Sequence, residues 1–459
     1  MKIFYYKNSK SDCKLIFVLS FILVFLKFFF SYLHYPNDFI ITKILIEIED
    51  VEYFPLVKSL SELNLFISFN KDLVAKNLIT FPTLSIFWHS LFYKFFGIFS
   101  FIFLEFLFKF LTIYVFYNIF REFNFMQNSA ILFAFFLTLL PSFFGILDLP
   151  KTISDESHLY FKYLQIIYEQ LRLNLGWRFP RPLVTHFYLF LFILLLIILN
   201  KKVNQKNKLL VYLSIVLLLL ANSFFYFFIA CVLTIFFLFI SNYKKYIFYI
   251  TNNFKNLIIF FIIIFIGIAI IILQNIYGEI DHASRIGVYK IDYNKKIFLL
   301  KYFINNCILR IEILILILTN IFISYFIKFF IKIKAYNSNL KIFSYFVLAS
   351  ILSPFFFVII SHKVILLYQF FDFIIFILFF YNIFCACLIF NYYFSLKIKN
   401  FYFTYTFLGF FFIFYSHNYY YTIGKFNPER ENLNFVANFL KKIIYMAAKK
   451  FYSQIIIKF

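Results

Sequence analysis

Carboxylates are the side chains best placed to do chemistry in this chain, and they are scarce. Asp and Glu number 21 in 459 residues, yet four fall in the stretch Glu47-Ile48-Glu49-Asp50-Val51-Glu52, followed by Tyr53-Phe54-Pro55. Acids beside apolar surface can work as a general base, because desolvation raises a carboxyl pKa toward neutrality. A solvated loop at the start of a helix carries the same residues. A second group follows Asp148, with Asp155, Glu156 and His158. It runs on to Trp177-Arg178-Phe179-Pro180-Arg181-Pro182. Arginine meets a phosphate through paired N–H donors, so Arg178 and Arg181 suit a phosphate at membrane depth; ordinary lipid headgroups satisfy them equally. A third group holds Glu279, Asp281, His282 and Arg285. His282 with Asp281 suits either a metal or acid–base work. No two candidate ligands have diagnostic spacing, so a divalent cation stays open.

The elements that must position these groups are membrane helices. The chain is 63% hydrophobic with a mean hydropathy of +0.86, against roughly 45–50% apolar residues in soluble domains. Several apolar runs reach the roughly 20 residues that cross a bilayer. The fold class expected is an all-α polytopic membrane protein. Abundant Phe, Ile, Lys, Asn and Tyr with only eight Gly fit an A+T-biased genome. That bias inflates lysine, so the net charge of +23 makes no case for nucleic acid. Its use is orientation, since Lys and Arg mark inner loops. Five cysteines show no metal or disulfide spacing, and Cys385 and Cys387 inside an apolar run read as core or lipid-facing thiols.

Charge and hydropathy give a path of eleven spans in a cytoplasmic membrane, N-terminus inside and C-terminus outside. Lys2, Lys7, Lys10 and Lys14 precede a first, uncleaved span over 15–33. The spans that follow are 98–119, 129–147, 183–199, two short ones within 209–241, then 257–273, 309–327, 342–360, 364–391 and 401–417. The two short spans turn at Ala221-Asn222-Ser223, near the outer surface. Ser353-Pro354 predicts a kink, and Gln369 and Asp372 lie in the outer third of the tenth span. The integral domain is 1–417, with a first outer loop over 34–97 and a second over 148–182; 418–459 is an outer tail. Within the first loop, helical spacing of Tyr53, Phe54, Val57, Leu60, Leu63 and Phe66 predicts an interfacial helix over 51–66. A second interfacial helix starts at Pro82 and stops at Gly97. Glu105 and Lys109, four residues apart, are set to neutralise each other on one helix face. On this path Glu49, Asp50, Asp148, His158, Arg178, Arg181, His282, Arg285 and His362 all gather on the outer side.

The pattern resembles the GT-C fold of membrane glycosyltransferases: a first span, an outer loop opening on an acidic pair, amphipathic helices along the membrane, and an acid at the outer end of span three. Oligosaccharyltransferases, protein O-mannosyltransferases and aminoarabinose transferases share it. Glu49-Asp50 with Tyr53 is similar to their first-loop acidic motif, Phe81-Pro82-Thr83 to their Pro-led interfacial helix, and Asp148 to their second-loop acid. The likeness covers about residues 10–200. The Pro-led helix lacks a Lys-Pro-Pro type of sequence, and the spans after the fourth match nothing specific. The resemblance implies transfer of a sugar from a polyprenyl-phosphate carrier to an acceptor outside the cytoplasm. It implies Asp50 as base with Glu49 second, and Asp148 positioning the acceptor or holding a divalent cation. Arg178, Arg181 and Arg285 would meet the lipid phosphate. The 42 residues of the tail are too few for the soluble outer domain of many relatives, which points to a shortened form or a protein partner supplying it. The competing classes are a transporter or flippase of lipid-linked sugars, which would show internal repeats and mid-membrane broken helices, and an O-antigen polymerase or ligase type of enzyme, which presents outer arginines without the acidic pair.

Overall fold

The computed structural model describes residues 9–34, 53–65, 78, 83–146, 174–176, 178–201, 208–277, 293–331, 334–360, 365–398, 404, 406–413 and 415–416. All regular structure among them is helical, apart from one bridge at Leu78, whose N–H bonds the Tyr277 carbonyl at 2.9 Å. The helices are α1 (Ser9–His34), α2 (Tyr53–Ser61), α3 (Thr83–Phe96), α4 (Phe99–Glu122), α5 (Gln127–Ile146), α6 (Thr185–Lys201) and α7 (Leu209–Ala221). They continue with α8 (Phe225–Ser241), α9 (Tyr243–Asn252), α10 (Phe254–Tyr277), α11 (Tyr293–Phe303), α12 (Ile311–Phe326), α13 (Lys334–Ile360) and α14 (Ile365–Ile398). Six are long and apolar enough to cross a membrane, or seven if the bent pair α8–α9 counts as one span. The chain is an all-α polytopic membrane protein.

Hydrophobic pattern decides which helix sits where. Helix α6 has no polar residue between Leu189 and Leu199. A helix apolar on every side must be buried on every side, and α6 is packed among α4, α7 and α13 with nearly all its side chains in the core. At the periphery, α10 and α12 turn Phe261, Phe265, Leu318 and Phe322 outward, the exposure expected of lipid-facing surface. Cys231, Cys385 and Cys387 are buried core thiols.

The 209–241 block folds as the expected helical hairpin, turning at Ala221-Asn222-Ser223. With 13 residues, α7 is about 20 Å long, shorter than a bilayer's ~30 Å core. The tip Ala221-Asn222-Ser223-Phe224 is wholly buried within the protein. Helix α3 covers it: Leu84 N–H donates to the Asn222 carbonyl at 3.3 Å. Asn222 Nδ2 in turn donates to the Leu218 and Gly267 carbonyls at 3.1 and 3.3 Å, so protein satisfies much of the broken backbone.

Two expectations need correction. The first interfacial helix is shorter than 51–66: it stops at Ser61, Leu63 takes a left-handed φ of 60°, and Ser59 Oγ caps the turn by donating to the Asn64 carbonyl at 3.0 Å. Leu63 therefore points outward at 79% exposure, while Leu56, Val57 and Ser59 are buried. The second helix matches its expected bounds, ending where Gly97 adopts φ 55°. Glu105 finds its ion-pair partner across helices. Lys27 of α1 meets it at 2.5 Å, and Lys109 points instead to the carbonyls of Leu175 (3.1 Å) and Gly176 (2.8 Å). Lys27 lies on the α1 face packed against α4, and pairing neutralises two charges that would otherwise be buried separately.

Polar contacts sort to the two ends of the bundle. At one end Lys201 pairs with Glu122 at 2.7 Å, Asn339 donates to the Glu122 carbonyl at 2.9 Å, and Lys245 donates to the Asn200 carbonyl at 2.8 Å. Buried Asp12 accepts from Tyr117 and Gln127 there, tying α1 to the α4–α5 turn. At the other end Gln274 donates to Thr83 at 2.6 Å and Trp88 Nε1 donates to Tyr188 at 2.8 Å.

Candidate anion site at the arginine turn

The site is built on the turn 178–184 that feeds α6. Its backbone is closed by Leu183 N–H to the Arg178 carbonyl (3.1 Å) and Val184 N–H to the Pro180 carbonyl (3.0 Å). Both prolines follow cis peptide bonds. Phe179 drives the turn into the core, with its ring against His89 (3.8 Å between centroids), Phe101 (5.4 Å) and Tyr53 (6.5 Å). The burial of Phe179 therefore brings Tyr53, first residue of α2, to the same place as the arginines on either side of it. Lys109 holds the preceding segment through the carbonyls of Leu175 and Gly176.

Arg181 is the distinctive member. Its guanidinium lies 4.1 Å over the Phe224 ring at the hairpin tip, a cation–π contact. Its buried Nε–H has no hydrogen-bond partner among the described residues. Burial pushes its pKa from 12.5 to about 10; neighbouring Arg178 adds to that push, while Asp372, Tyr53 and Tyr226 oppose it. At neutral pH the group stays charged. A desolvated cation with an unused donor gains most from an incoming anion. The hairpin tip adds two more buried polar atoms that lack hydrogen bonds among the described residues, Asn222 Oδ1 and Ser223 Oγ.

His186, one turn along from the arginines, is held by Asn174 Oδ1, which accepts from Nε2 at 3.1 Å, and by the Thr185 hydroxyl at 3.1 Å from Nδ1. His89 differs: it is fully buried among Phe101, Phe108 and Phe179, and neither ring nitrogen has a partner among the described residues. Burial holds its pKa well below the usual histidine value.

Of the residues expected to form a site, Tyr53, Arg178 and Arg181 are brought together. Glu49, Asp50, Asp148, His282 and Arg285 lie outside the described residues, as do His158 and His362. Sequence reading did not assign Asp372, Lys109 or Tyr226 to the site. For the first two a signal was present, because an ionisable residue inside an apolar span is a functional suspect. Tyr226 carried none. No group of three His, Cys, Asp or Glu side chains able to hold a metal occurs among the described residues.

Fold and site define a polytopic helical membrane protein with a buried arginine turn at one end of its bundle. Comparison with protein-family models, with curated proteins and with solved structures gives no match.

Proposed function

We propose that the chain is a GT-C type membrane glycosyltransferase that moves a sugar from a polyprenyl-phosphate carrier to an acceptor outside the cytoplasm. The observation that carries this reading is Arg181: a desolvated guanidinium whose buried Nε–H has no hydrogen-bond partner among the described residues, beside Arg178 and next to the helix that follows Glu49-Asp50. An anion at headgroup depth is what such a group accepts, and a polyprenyl phosphate brings one there. In the reaction, Asp50, with Glu49 beside it, takes the proton from the acceptor nucleophile. The acceptor atom bonds to the sugar's anomeric carbon, the carbon–oxygen bond to phosphate breaks, and the phosphate leaves as an anion. Arg178 and Arg181 stabilise the charge that develops on it. Asp148 orients the acceptor, and Arg285 and His282 add contacts from the third outer segment.

The topology that goes with this reading has eleven spans in a cytoplasmic membrane, with the N-terminus inside and the C-terminus outside. Lysines concentrated at the end opposite the arginine turn support that orientation. The short α7–α8 hairpin favours a second reading, a transporter of lipid-linked sugars, because broken helices line such pathways.

The test is Asp50→Asn, and separately Arg181→Gln, in cells whose glycans and lipid-linked sugars are profiled. A glycosyltransferase loses its glycan product and accumulates the lipid-linked sugar on the outer face. A transporter accumulates it on the inner face. Unchanged pools in both variants would remove the proposal.

A further inference from the structure

The opposite end of the bundle carries an unassigned feature, helix α9. It leaves α8 at a bend of 106°, so it runs across the end of the bundle where α8 runs along it. One face is fixed: Tyr246 and Tyr249 are buried, and Lys245 Nζ binds the C-terminus of α6 through the Asn200 carbonyl (2.8 Å) and Oδ1 (3.0 Å). The other face is open and mixed. Tyr243, Ile247 and Phe248 are about half exposed, and Phe254 follows at the start of α10. Lys244 stands exposed over Tyr243, 6.0 Å from its ring, and Lys255 is exposed beside Phe254. Neither lysine makes a hydrogen bond or ion pair among the described residues.

Four large apolar side chains on a basic helix do not suit water, and the lysines do not suit the hydrocarbon core. The combination suits the boundary between them, where rings and aliphatic chains sink below the headgroups and lysines reach up to them. Charge selects the headgroup. From residue 182 to 278 the sequence has seven lysines, Lys201, Lys202, Lys206, Lys208, Lys244, Lys245 and Lys255, and no Asp or Glu. At this end Glu122 is already paired with Lys201. We infer that α9, with the start of α10, is an interfacial element that binds anionic phospholipid headgroups through Lys244 and Lys255 while Ile247, Phe248 and Phe254 enter the leaflet. The glycosyl-transfer reading plays no part in this inference, since the element lies at the other end of the bundle.

The experiment is native mass spectrometry of the full chain released from nanodiscs of equal phosphatidylcholine and phosphatidylglycerol. Wild type retains phosphatidylglycerol in excess. Each lysine contributes roughly fivefold to the preference for an anionic surface, so K244Q/K255Q lowers the retained ratio at least threefold, and the change breaks no hydrogen bond or ion pair among the described residues. In parallel, Phe248→Cys carrying an environment-sensitive fluorophore is quenched by nitroxide lipids labelled near the headgroup. An unchanged lipid ratio in K244Q/K255Q, no excess in wild type, or emission from the label as in water would each overturn the inference.

Discussion

Arg178 donates its Nε–H to the main-chain carbonyl of Arg181 at 2.9 Å. One arginine thus braces the turn that presents the other over Phe224. The two should fail differently. Arg181→Gln removes a buried cation, so phosphate-ligand affinity drops about 10- to 100-fold, the worth of a charge-assisted hydrogen bond, while thermal stability holds or rises. Arg178→Ala lowers both. Titration of a polyprenyl phosphate alongside a melting curve in the same detergent separates them; equal stability losses would show that both arginines are structural.

The Lys27–Glu105 pair joins α1 to α4 inside the bundle at 2.5 Å. Lys27→Met or Glu105→Leu alone strands a buried charge, costing about 3–5 kcal/mol. The double variant restores most of that loss, because two apolar side chains of similar size need no partner. A double-mutant cycle on unfolding in micelles reads the coupling.

His89 sets a pH dependence. The folded state holds its imidazole neutral by burial, while the unfolded chain takes up a proton near the usual value of about 6.5. Below that pH the unfolded state binds the extra proton, so wild type loses stability as pH falls and is unaffected above it. His89→Phe fits a site already walled by phenylalanine and has no such term. The stability gap between variant and wild type should widen by roughly 1.4 kcal/mol per pH unit from 6.5 downward until the folded-state histidine itself titrates. A gap that is flat from pH 7.5 to 5.5 would mean that His89 has a partner or water in the folded state.

Gly267 lies where α10 meets α7. A Cβ there would sit 3.6 Å from the Leu218 Cα, ordinary van der Waals contact. Gly267→Ala should therefore be tolerated and raise stability by about 0.5–1 kcal/mol through helix propensity. Gly267→Leu pushes against backbone that cannot move aside, and should loosen the hairpin. Differential scanning fluorimetry of the two variants checks the pair.

Much of the helical framework was legible from hydropathy. The first apolar helix, the helix at 83–96, the hairpin turn at 221–223 and the apolar run of α6 follow from runs of Leu, Ile and Phe broken by Pro, Gly or Asn. That is the information a bilayer reads. Span count is less legible, because α6 and α7 are short and α8–α9 is bent, so length alone does not say which helices cross.

Sequence by itself determined that this is a helical membrane protein, and it singled out Tyr53, Arg178 and Arg181 as candidates from residue type and spacing. Only the tertiary structure decided who meets whom. Glu105 chose Lys27 over the lysine one turn away, because α1 packs against that face of α4. Arg181 came to rest on Phe224, 43 residues on, because the short α7–α8 hairpin buries its tip beneath α3. Local spacing fixes which side chains share a helix face, but partners between helices depend on packing, and packing is a property of the whole bundle.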